Sequence, residues 1–63
     1  MMWIARDKNG KLTLFLGEKE PVREGDEWCT SGECCDIEST WFSEITWESN
    51  PVKVNIDYGR GKN

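Results

Sequence analysis

The chain has 63 residues, a formal charge of −4, three cysteines, four tryptophans and no histidine. That length allows one domain, with no room for a catalytic domain plus a regulatory one. Without histidine there is no Ser-His-Asp or Cys-His nucleophile system, no histidine metal ligand and no imidazole switch near neutral pH.

Residues 2–17 predict a β-hairpin. Asn9-Gly10 is the dipeptide favoured by a two-residue type I′ turn, in which both central residues take positive φ. With those two residues at the tip, Lys8 faces Lys11 and Asp7 faces Leu12. Ala5 then pairs with Leu14 and Trp3 with Leu16 on one face, while Arg6 with Thr13 and Ile4 with Phe15 fall on the other. The Trp3/Ala5/Leu12/Leu14/Leu16 face is the more apolar and is expected to meet the core.

Residues 17–26 read as a loop, because Pro21 lacks a donor and Gly17 and Gly25 are breakers. Val22 is its one candidate apolar anchor. Residues 27–30 and 34–38 predict short strands on either side of a Ser31-Gly32-Glu33 turn, with Trp28, Cys35 and Ile37 inward. Residues 39–46 suit one or two helical turns capped by Ser39 or Thr40. Trp41 and Phe42 would share a face with Ile45, and the segment must pack on the sheet because it is too short to be stable alone. Asn50-Pro51 signals a turn. Residues 52–58 alternate, with Val52, Val54, Ile56 and Tyr58 on one side, which predicts a half-buried strand. Residues 59–63 read as a frayed polar tail after a single domain over 1–58.

The expected fold is all-β, or α+β by one short helical turn. It would be a small antiparallel sheet or partly closed barrel of about five short strands.

The net charge hides an asymmetry. Between Glu18 and Glu48 ten acids meet only Lys19 and Arg23, giving −8, while the remainder sums to +4. Charge complementarity between strands and ordinary solvation account for this, or else the acids form a face for a basic partner. The few bases sit at turns and in the tail, so direct binding to a nucleic-acid backbone is not expected.

No apolar run approaches the length of a membrane span, and MMWIARDKNG has no signal-peptide core. Three cysteines cannot all pair within one chain, so a cytoplasmic protein with reduced thiols is expected. Cys29, Cys34 and Cys35 are poorly spaced for zinc, and adjacent thiols on a strand point to opposite faces. They read best as buried, small apolar side chains, and no metal or cofactor is expected. Gly59-Arg60-Gly61-Lys62 lacks the strand-turn-helix setting of a phosphate loop. Carboxylates are plentiful, but so small a domain rarely encloses the cleft that a general acid and base require. An enzyme is therefore not expected.

The tryptophans remain. Trp3 and Trp28 lie in strand patterns and read as core. A chain of this size does not fully bury four indoles, so at least one of them should be part exposed. The Trp41/Phe42/Trp47 group caps the sheet as a lid or, with Glu44 and Glu48, contacts a protein partner.

Trp3-Ile4-Ala5-Arg6-Asp7, Gly10-Lys11-Leu12, Leu14-Phe15, Lys19-Glu20-Pro21-Val22-Arg23, Trp41-Phe42-Ser43-Glu44-Ile45-Thr46-Trp47-Glu48 and Pro51-Val52-Lys53-Val54 together form a pattern. It resembles short uncharacterised proteins encoded in Bacteroidales genomes and their prophages, over most of residues 2–54. Members tend to carry a Leu-Phe-Pro-Glu-Val-Thr-Trp-Glu-like run where this chain has Trp41 to Glu48, with a proline in place of Ser43. The Cys34-Cys35 pair is not part of the family pattern, which argues against a thiol function. The resemblance implies a phage or mobile-element setting and no mechanism. The expected function is a protein-interaction module with an unknown protein partner. The alternatives are a self-associating accessory protein, such as a homodimer, or an acidic nucleic-acid mimic.

Overall fold

The computed structural model describes residues 2–54. They form six short strands: β1 (Met2–Arg6), β2 (Leu12–Phe15), β3 (Val22–Glu24), β4 (Glu27–Cys29), β5 (Cys34–Ile37) and β6 (Val52–Val54). A four-stranded antiparallel sheet has the order β5-β2-β1-β6, and β3 and β4 make a separate two-stranded sheet. The fold is small and all-β. Among the described residues there is no closed barrel and no helix. Ile56, Tyr58 and the expected tail lie outside the described residues.

The β1–β2 hairpin forms where the alternation places it, but one residue out of the expected register. Arg6 pairs with Leu12, Ala5 with Thr13, Ile4 with Leu14 and Trp3 with Phe15. The turn explains the slip. Asp7 N–H donates to Lys11 O at 2.8 Å and Gly10 N–H to Asp7 O at 2.9 Å, so the loop has three residues, Lys8-Asn9-Gly10. Gly10 takes φ +96°, while Asn9 stays at negative φ and accepts the Lys11 N–H on its side-chain oxygen. A type I turn closed by a left-handed glycine replaces the two-residue turn. Because side chains alternate with period two, this slip reverses the facing of every residue on β2 relative to β1.

The sheet is therefore covered on both sides. On the first face, Ile4 and Leu12 pack with Ile45, supported by Leu14, Ile37 and Val54. On the second, Ala5 and Phe15 pack with Trp28, supported by Trp3 and Trp47. Leu12 and Phe15, expected on opposite sides to those they occupy, are the largest fully buried side chains. Leu16, expected in the core, is 42 % exposed.

The segment read as a loop contains β3, which pairs with β4 across Gly25-Asp26. Gly25 at φ +63° supplies the left-handed first position of a two-residue hairpin turn. Val22 is exposed and anchors nothing, whereas Trp28 is buried as expected. Its backbone N–H donates to Asp7 Oδ1 at 3.0 Å and its indole N–H to Arg6 O at 3.0 Å. These bonds fasten the small sheet to the end of β1. The strand over 34–38 pairs with β2. Ile37 is half-buried as expected, but Cys35 is exposed, because β5 is an edge strand and only its Ile37 end reaches the first core.

Candidate functional site

The expected helical turns over 39–46 do not form. Residues 38–49 instead make three separate turns, closed by Trp41 N–H to Glu38 O, Ile45 N–H to Phe42 O and Ser49 N–H to Thr46 O. Phe42 sits at φ +54°, the left-handed region that non-glycine residues rarely occupy, and this breaks helical continuity. The local reason is that the segment is too short to propagate a helix, so its carbonyls find a better donor elsewhere.

That donor is Arg6. Its Nε donates to Ile45 O at 2.6 Å, and Nη1 donates to Gly10 O at 2.8 Å and Ser39 O at 2.9 Å. Nη2 donates to Trp41 O at 3.0 Å and Phe42 O at 3.2 Å. A planar guanidinium carries five N–H donors in a fixed fork, and here five carbonyls take them. Charge-assisted bonds are stronger than neutral ones, so the loop backbone is held as a unit.

Its side chains behave differently from one another. Ile45 turns inward and closes the first core. Trp41 and Phe42 point to solvent, 57 % and 42 % exposed, with ring centroids 6.4 Å apart in an edge-to-face pair. Glu44, in the Phe42–Ile45 turn, is exposed, as is Glu48. Trp41, Phe42 and Glu44 thus remain together on one loop surface.

Trp47 separates from them. It is half-buried against the second face, 5.9 Å from Trp28 in an edge contact. Arg23 stacks on both rings, 4.7 Å from Trp28 and 4.6 Å from Trp47, and donates to Trp47 O. The chain therefore passes from one face of the sheet to the other between Ile45 and Trp47.

The ten acids of residues 18–48 are all exposed. Among the described residues only Asp26 and Asp36 pair with lysines, Lys8 at 4.0 Å and Lys11 at 3.4 Å. The strands do not use most of the acidic charge for pairing with one another.

The thiols depart from the expectation that they are buried. Cys34 and Cys35 are exposed on opposite faces of β5, and Cys29 is half-buried. Desolvation by its surroundings, then the carboxylates of Glu24 and Glu27 and more weakly Asp7, push the Cys29 thiol above its ordinary pKa. Among the described residues no group of three or more Cys, Asp or Glu is arranged to hold a metal ion. No helix long and apolar enough to cross a membrane is present among the described residues.

Arg6 is the residue that sequence reasoning missed. It appeared as one base among eight on the chain. In the true register it lies beside Leu12 and two places from Ile4, an arginine on an apolar face, and that is the signal that marks it. Comparison with protein-family models, curated proteins and solved structures gives no match.

Proposed function

We propose that the chain is a non-catalytic protein-interaction module whose contact surface is the Trp41–Phe42 pair with Glu44 on the same loop. The supporting observation is that two large aromatics stand exposed on a loop whose backbone is already fixed by Arg6. Aromatic anchors dominate binding energy at protein interfaces. A loop ordered in advance loses little further entropy on binding. The exposed acids around it favour a partner with a basic rim. Trp47 is assigned to the fold and not to the contact. The free thiols fit a reducing compartment such as the cytoplasm. On the resemblance noted above, the partner is a host or phage component.

The test is affinity capture on the immobilised protein, comparing wild type with Trp41→Ala/Phe42→Ala. Circular dichroism and urea unfolding should show the double variant folded. Loss of the specifically retained protein, with retention in wild type that weakens as salt rises, is the expected result. An identical retained set from the folded double variant overturns the proposal.

A further inference from the structure

We infer that β5 pairs with β5 of a second copy, in antiparallel register centred on Cys35, to join two four-stranded sheets into one. The inference is independent of the Trp41–Phe42 surface. It starts from the order β5-β2-β1-β6, in which β5 and β6 are the edges.

The two edges differ in chemistry. Leu16 N–H donates to Glu33 O, and this bond fixes the phase of the β2–β5 ladder. Cys35 and Ile37 therefore turn their backbone groups toward β2, while Cys34 and Asp36 turn theirs outward. Among the described residues nothing pairs with them. On β6, Asp7 N–H to Lys11 O sets the phase of β1, so Lys53 is the outward residue. Pro51, two positions back, has no N–H to offer. A lysine and a proline are the usual protection of a sheet edge, and β5 carries neither.

Symmetry restricts the partner register. Antiparallel strands bond through residues that both face outward, so Cys34 and Asp36 must meet outward residues of the other copy. Three two-fold arrangements satisfy this, centred on Cys34, Cys35 or Asp36. Centring on Asp36 sets two carboxylates directly opposite each other, which destabilises a pair. Centring on Cys34 leaves Ile37 opposite a residue beyond the strand. Centring on Cys35 pairs Cys34 with the second copy's Asp36 and Glu33 with its Ile37, so no acid faces an acid. Cys35 then meets its own counterpart on the same face, in a position without backbone bonds. Such positions hold Cα atoms about 4.5 Å apart, within the range a disulfide spans. The contact is one four-residue strand, so the dimer is weak and dissociates on dilution.

Sedimentation of the reduced full-length protein over a range of concentrations should show a reversible monomer–dimer equilibrium. Register is read by adding diamide, a diazene oxidant. Two thiols form one disulfide, giving up two protons and two electrons, and the diazene is reduced to the hydrazine. Cys34→Ser should crosslink as well as wild type, while Cys35→Ser should lose about tenfold in dimer yield. Both serine variants sit at exposed positions, and circular dichroism should show them folded. A monomer at every concentration overturns the inference, as does crosslinking that survives Cys35→Ser and is lost in Cys34→Ser.

Discussion

The Nε of Arg6 donates to the carbonyl of Ile45 at 2.6 Å, joining the end of the first strand to a loop 39 residues later. That one bond connects the inward anchor of the loop to the hairpin that supports it. The same side chain also holds the carbonyls of Trp41 and Phe42. Display of the aromatics is thus a property of β1 as much as of the loop.

Arg6→Met should therefore destabilise the fold by about 2–4 kcal/mol, because part-buried carbonyls lose a charged donor. Arg6→Lys should recover little, since an ammonium cannot span five acceptors in a plane. Urea unfolding gives the stabilities. Wild-type stability in Arg6→Met would show that the carbonyls find water without cost.

Gly10→Ala should cost about 1–2 kcal/mol through the left-handed backbone alone. A Cβ there meets nothing within 4 Å, so no steric clash contributes. Gly17, with no positive φ and equal space, is the control, and Gly17→Ala should be close to neutral. Equal midpoints in urea for the two variants would contradict the three-residue turn.

Trp47→Ala should cost about 2–3 kcal/mol, somewhat less than a fully buried indole, since the ring is half-exposed. It removes the edge contact with Trp28 and one of the two rings under Arg23. Trp41→Ala should stay within about 0.5 kcal/mol of wild type. The reverse order would place Trp41, not Trp47, in the core.

Cys29 should react slowly with a thiol reagent at neutral pH, and the exposed Cys34 and Cys35 faster. Its pKa is raised, so the folded state binds the proton more tightly than the unfolded state. Its contribution to stability is then complete below the ordinary thiol pKa and is lost as pH rises through the folded value. Reaction rates of a Cys34→Ser/Cys35→Ser variant against pH should inflect above the ordinary thiol range. An inflection below it would contradict the carboxylate surroundings of Cys29.

The hairpin and the inward Trp28 were legible because alternation and a turn dipeptide are local signals. The register was not. Two-residue and three-residue loops both use Asn9-Gly10, and they differ in whether Lys8 leaves the strand to join the turn with Asn9 at negative φ, a choice whose cost depends on what packs afterwards. Strand β3 was hidden by Pro21 and by its exposed Val22, Arg23 and Glu24, which show no apolar face. Trp41, Phe42 and Ile45 look alike at helical spacing. What separates them is a guanidinium supplied from 35 to 39 positions away, which no local window contains.

The crossing of the chain between Ile45 and Trp47 has a mechanical meaning. Ile45 plugs one side of the sheet and Trp47 lids the other, with one residue between them. Pulling on Trp41 or Phe42 loads Ile45 first and then, through Thr46, the indole on the opposite side. The segment works like a buckle passed over a strap, so neither layer can peel away without tugging the other. A peptide of residues 38–49 alone would carry the aromatics but lack both the strap and the cation that shapes them.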